Sequence, residues 1–242
     1  MRETIKGLIA RGSRTTVGKH LLHAANRPDV TAERFPDVPV WPQRVDGFED
    51  LAFLFTSSQL NHGVASLRFD EGAFLFGLVR RLGVSRIAEI GRFKGGSTFI
   101  IANAMGPGSS LVSYDLHVAL RDDLQGPDLD RELEGALARY GLTDRVRLVV
   151  GDSRTVELPE PGLDLLFIDG DHSYEGALGD LLRWSPLVRT GGHVVLHDVV
   201  DRGGYGNVYP GIGRAVSELL NEGEFELAQG AGTMAHLVRR AP

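Results

Sequence analysis

Two short stretches carry side chains whose types and spacing suit chemistry. "FIDGDHSY" (167–174) places Asp169, Asp171 and His172 within four positions, and "VVLHDV" (194–199) sets His197 beside Asp198. Each follows an apolar run of the kind that forms a buried strand. An alcohol oxygen is a poor nucleophile while protonated, so an enzyme acting on one supplies a base or a metal. The oxygens of Asp169 and Asp198 are hard ligands that suit Mg²⁺, which takes one or two protein carboxylates and keeps several waters. A cation held there lowers the pKa of a hydroxyl beside it. His172, as the side chain type that titrates nearest neutrality, is placed to take the proton. Plainer roles stand beside these. His197 is equally well a hydrogen-bonded core histidine, and Asp171 an N-cap for the helix starting near Ser173.

A second pattern lies upstream. In "EIGRFKGG" (89–96) three glycines follow a short apolar run and open the next helix. Such a turn lets the backbone approach a ligand closely, and in open α/β sheets ligands bind at the carboxyl ends of strands. The spacing is G-x-x-x-G-G, however, not the G-x-G-x-x-G of dinucleotide folds. Glu89 beside the turn would repel a pyrophosphate and suit a ligand with positive charge. Asp115 ends the next strand, "VSYDLH", where it can accept hydrogen bonds from ribose hydroxyls. Asp152 and Ser153 follow the third strand, placed to meet an adenine edge. Together these describe a nucleoside without phosphates that bears a cation.

The elements needed to hold these residues are legible as well. From residue 84 onward, apolar strands alternate with amphipathic helices, which implies parallel βαβ units with helices on both faces. The tail "EFELAQGAGTMAHLVRR" reads as a closing hairpin that adds an antiparallel edge strand. In a parallel sheet the ends of the fourth and fifth strands are neighbours. Asp169, His172, His197 and Asp198 therefore converge at one mouth, next to the glycine turn. Residues 1–45 read as an arm and a Pro-spaced connector, 46–83 as a cap of two helices with Asp70 as an N-cap and Gly83 as a stop, and 84–242 as the ligand-binding domain. "DRGGYGNVYPGIG" (201–213) is placed to act as a lid over the acceptor.

The totals exclude several classes. The chain has 242 residues, 42% of them hydrophobic, with no cysteine and a net charge of −6. Disulfides and thiolate metal sites are ruled out, a cytoplasmic setting is expected, and the acidic balance disfavours nucleic acid. No apolar run is long enough to span a membrane. The arm is basic, with Arg2, Lys6, Arg11, Arg14, Lys19 and Arg27 against Glu3. That suits a solvated or subunit-contacting helix better than a membrane-surface anchor, and the arm and the final hairpin are candidate contacts for a homo-oligomer.

The ordered set of Glu89, Gly91, Gly95, Asp115, Asp152 and Asp169 at successive strand ends resembles the class I S-adenosylmethionine-dependent methyltransferases over about residues 84–240. That resemblance implies a Rossmann-like fold, a mostly parallel seven-stranded sheet with an antiparallel C-terminal hairpin strand. It also implies S-adenosylmethionine bound by Glu89, Gly91, Gly95, Ser97, Asp115, Asp152, Ser153 and Asp169. Residues 165–199 look in addition like the metal-assisted small-molecule O-methyltransferases, in particular the branch of macrocin O-methyltransferase that modifies sugars of natural products. By that likeness Asp169 and Asp198 are metal ligands, His172 is the base, and the acceptor is a hydroxyl of a sugar or natural-product glycoside. The chain departs from the pattern beside the second aspartate, where a further carboxylate or amide is usual and His197 and Val199 stand instead. His197, Asp171 and Asp201 are the candidates for a third ligand, and without one the metal is weakly held or absent.

Other classes fit less well. An NAD(P) oxidoreductase is disfavoured by the glycine spacing and by the absence of a Tyr-x-x-x-Lys pair, the only lysines being Lys6, Lys19 and Lys94. A non-catalytic S-adenosylmethionine-binding protein has no need to bring Asp169, His172 and Asp198 together. The alternatives are a metal-independent methyltransferase on another small molecule and that non-catalytic S-adenosylmethionine-binding protein.

Overall fold

The strand that leads into Asp169 is buried at every position. In β4 (Leu163–Ile168), Leu165 and Phe167 join one hydrophobic cluster while Leu166 and Ile168 join another. A strand apolar on both faces must sit in the middle of a layered sheet, which is where β4 lies.

The structure, a computed structural model, describes residues 42–55, 64–117, 126–200 and 209–241. The other strands are β1 (Arg86–Ile90), β2 (Ser110–Asp115), β3 (Val146–Val150), β5 (Val188–Leu196), β6 (Phe225–Ala228) and β7 (Ala235–Arg239). They form one seven-stranded sheet in the order β3-β2-β1-β4-β5-β7-β6. Strands β1 to β5 run parallel, and β7 pairs antiparallel with both β5 and β6. The order reverses between β1 and β4, the point at which such sheets open a crevice for ligands. The seven-stranded Rossmann-like sheet with its antiparallel hairpin is as expected.

Helices α1 (Phe69–Leu82), α2 (Gly96–Ala104) and α3 (Gly126–Arg139) cover one face, and α4 (Tyr174–Trp184) and α5 (Pro210–Asn221) the other. The segment before residue 84 shares the first of these cores, since Leu51, Leu75 and Val79 pack in the same cluster as Phe99, Leu133 and Leu165. Its first expected helix is a short 3-10 helix, Phe48–Leu54. Asp70 is not the N-cap of α1. Arg68 holds that position, and its amide donates to the Glu71 side chain at 2.8 Å, so the N3 acid satisfies the open helix end. Gly83 ends α1 in the left-handed conformation, as expected. Trp184, on the last turn of α4, is fully buried against Tyr114 with ring centroids 4.8 Å apart. No helix among the described residues is long and apolar enough to cross a membrane. The basic arm, His62, Asp201 and the first eight residues of the glycine-rich lid segment lie outside the described residues.

Candidate active site

A cavity of about 610 Å³ opens at the carboxyl ends of the parallel strands. One wall is the glycine turn. Gly91 follows β1 with φ at +83°, and a Cβ there would collide with the backbone of Asp169 at the end of β4. Only glycine lets the two strand ends approach this closely. Gly91, Gly96 and Ser97 line the cavity. Gly95 is set back as the N-cap of α2, against the side chain of Leu133.

The acids expected to meet the cofactor turn out to hold the cradle itself. Asp115 accepts from the backbone amides of Arg92 and Phe93 at 2.9 Å each and from His117 at 2.7 Å. It lines the cavity while fixing the turn opposite it. Glu89 is set behind the turn, fully buried and off the cavity wall, rather than at the mouth. Its oxygens accept from Ser97 at 2.6 Å and Thr98 at 2.5 Å, which ties the start of α2 to β1. Burial raises its pKa against those hydroxyls. Asp152 pairs with the neighbouring Arg154, whose hydrogen bond holds its carboxyl at about 2. The Ser153 hydroxyl donates to Asp180 at 2.6 Å. Both line the cavity.

On the other side of the crevice the partners are imidazoles. His172 Nε2 lies 3.5 Å from Asp169 Oδ1 and 3.3 Å from Asp198 Oδ2. His197 Nδ1 lies 3.2 Å from Asp169 Oδ1 and 3.5 Å from Asp198 Oδ1. Asp169, His172 and Asp198 each offer a ligand atom, all within 4.8 Å of one another, so that donor set fits a small cation; His197, the expected third ligand, turns Nδ1 to the same two aspartates but is not in the set. Hydrogen bonds that His172 donates to Asp169 and Asp198 push it up to about 9 against the effect of burial. Burial opposes the charging of His197, yet Asp169 and Glu71 outweigh it and raise that ring to about 10. Asp169 is depressed because the two imidazoles overcome its own burial. Asp198 sits at φ +58°, a left-handed backbone that is uncommon outside glycine and recurs at functional sites. Asp171 neither caps α4 nor joins the cation-spaced cluster. Ser173 is the N-cap, and Asp171 accepts from its amide at 2.8 Å.

Several contributors were not singled out from sequence. Arg92, inside the glycine turn, is buried and donates to Asp130 through two nitrogens at 2.6 Å each, and to the carbonyls of Ser113 and Val149. Its place between Gly91 and Gly95 was the available signal. Tyr209 packs its ring 4.5 Å from that of His172. Behind the cavity wall, Glu71 meets the lining residue His197 across 126 residues and Thr233 meets Glu71 across 162, and nothing in the local sequence marks them.

Comparison with known proteins decides the fold family. Residues 88–199 match the family model described as a methyltransferase domain. The chain has the class I methyltransferase fold. It is similar to the O-methyltransferase TomG of Streptomyces achromogenes, solved with S-adenosylmethionine, at 22% identity and a TM-score of 0.57 over 73% of this chain and 82% of that one. It is also similar to cofactor-bound Rv0187 from MTB, at 23% identity and a TM-score of 0.59 over 74% and 83% of the two chains. A third match is an O-methyltransferase from Bacillus cereus in complex with SAH, at 22% identity and a TM-score of 0.54 over 70% and 80%. Among curated proteins, 58 residues are 34% identical to protein R132 of Acanthamoeba polyphaga mimivirus, a stretch that spans 24% of this chain and 26% of that protein. Asp169, Asp198 and the glycine turn line one and the same cavity.

Proposed function

We infer that the protein transfers a methyl group from S-adenosylmethionine to a hydroxyl oxygen of a small molecule, with Asp169, Asp198 and His197 around a divalent cation and His172 as base. The observation that carries this reading is the convergence of two aspartates and two histidines on one wall of the cavity that the glycine turn closes. The same cavity has room for a cofactor together with a compact acceptor, and the resemblance of residues 165–199 to sugar-modifying enzymes supports a sugar or natural-product hydroxyl in that place.

When bound there, a divalent ion supplies positive charge that otherwise comes from the protonated imidazoles, and it lowers the pKa of a hydroxyl beside it. Every other task falls to the chain. The glycine turn and Asp115 fix the depth at which a cofactor lies. The Asp169–Asp198 wall sets the direction from which an acceptor approaches, and in-line alignment accounts for much of the acceleration in such displacements. His172, a third exposed in its side chain, faces solvent and cavity, and when neutral takes the hydroxyl proton at Nε2. The S–CH₃ bond breaks as the O–CH₃ bond forms, and the proton stays on the imidazole until solvent removes it.

The deciding experiment is calorimetric titration of S-adenosylmethionine into metal-stripped protein, repeated with Mg²⁺ and with NAD as control. Binding of S-adenosylmethionine and none of NAD is expected, and the reverse would overturn the cofactor reading. A second reading rests on the two raised histidines, which can neutralise the aspartates without an ion. Turnover that survives exhaustive chelation would favour it.

A further inference from the structure

Glu71 lies outside the stretch that matches the methyltransferase family, on α1, yet its buried side chain reaches His197, which lines the cavity. Four donors surround it. The Arg68 amide at 2.8 Å and His197 Nε2 at 3.0 Å reach Oε2, while the Thr233 amide at 2.6 Å and hydroxyl at 2.9 Å reach Oε1. A carboxylate accepts about four hydrogen bonds, so this one is fully used. The approach of Thr233 depends on Gly232, whose φ is +54° and where a Cβ would collide with the Glu71 carboxylate.

His197 therefore has one nitrogen pinned by Glu71 and the other, Nδ1, turned to Asp169 Oδ1 at 3.2 Å and Asp198 Oδ1 at 3.5 Å. An ionised carboxylate has no hydrogen to give, so the hydrogen in the Glu71 contact belongs to Nε2. Metal-ligating histidines characteristically give their second N–H to a carboxylate in this way. His172 has another kind of neighbour, the ring of Tyr209.

We propose that Glu71 is a positioning residue of this site: it keeps the hydrogen of His197 on Nε2, which reserves Nδ1 for a cation shared with Asp169 and Asp198. The inference rests on the reading of those aspartates as ligands of a divalent ion. Glutamine cannot take over the role. Each oxygen of Glu71 already accepts one backbone amide, from Arg68 or from Thr233, so an NH₂ group would face an N–H in either orientation.

The test is titration of Mn²⁺ into the full chain, with free ion read by electron paramagnetic resonance. Wild type, Glu71→Gln, His197→Leu and the double variant are compared, each with its thermal unfolding curve. Glu71→Gln is expected to weaken Mn²⁺ binding by about 10–100-fold. The double variant is expected to bind no more weakly than His197→Leu alone, because Glu71 acts through His197. Unchanged affinity in Glu71→Gln, or losses that simply add, would overturn the positioning role and leave the aspartates as ligands. A wild-type protein that binds no Mn²⁺ would overturn the metal reading and this inference together. Nitrogen-15 spectra of the histidines in the Mg²⁺-loaded wild type need no variant: hydrogen on Nε2 and none on Nδ1 of His197 is expected, and the opposite tautomer would overturn the proposal.

Discussion

The two walls of the crevice use acidic residues in opposite ways. On the β1–β2–β3 side, Glu89, Asp115 and Asp152 are bound by hydroxyls, backbone amides and an arginine of the chain itself. None of those donors gives up its proton near neutral pH, so that wall is a fixed mould. On the β4–β5 side, Asp169 and Asp198 face two imidazoles, donors whose protons exchange with solvent or yield to a cation. One wall is built to hold a shape, the other to change its charge. On the proposed function, mutation is expected to separate binding from chemistry.

The sharpest test of that separation is His172→Ala. Loss of a general base lowers turnover by about 10²–10⁴-fold, and S-adenosylmethionine affinity is expected to stay at the wild-type value. Steady-state kinetics beside calorimetry reads both, and wild-type turnover would remove His172 as the base. Asp115→Ala attacks the mould instead. It strips the acceptor from three backbone amides. With hydrogen bonds to a charged group contributing about 1.5–3 kcal/mol each, cofactor affinity should fall by at least about 10-fold. Turnover at saturating cofactor should change far less, and an unchanged dissociation constant would break the comparison.

A smaller effect comes from Asp180, which lies between the two walls and accepts from Ser153 at 2.6 Å. Burial, with added repulsion from Asp171 and Asp152, pushes its carboxyl up to about 6 despite that bond. The folded protein then holds the proton more tightly than the unfolded chain. Stability accordingly falls as pH rises from about 4 to about 6 and is flat above, a penalty on the order of 3 kcal/mol at neutral pH. Asp180→Asn keeps the acceptor for Ser153 without the charge. Its melting temperature should exceed that of wild type at pH 8 and match it at pH 4, and a lower value at pH 8 would show the charge to be stabilising.

Much of the fold was legible because its signals are local. Apolar runs of five or six residues ending in glycine or aspartate mark β1, β2 and β4, and helical periodicity marks α2, α4 and α5. The pairs of the candidate site were legible for the same reason, since Asp169 and His172 sit on one strand end and His197 and Asp198 on the next. The N-cap of α1 was misread because two acids stand side by side. Asp70 looked like the cap, whereas Glu71, at the third helical position, reaches back to the Arg68 amide. The place of Glu89 behind the turn rather than at the mouth depends on the hydroxyls of Ser97 and Thr98, which a strand pattern does not show.

By itself the sequence determined which residue types stand at the ends of the parallel strands, because hydrophobic periodicity sets where each strand begins and stops. Which of those acids face the cavity, which are sealed by the chain's own donors, and that Glu71 and Thr233 stand behind His197 were decided only by tertiary structure. Hydrogen bonds join atoms about 3 Å apart however distant they are along the chain, and Glu71 meets His197 across 126 residues.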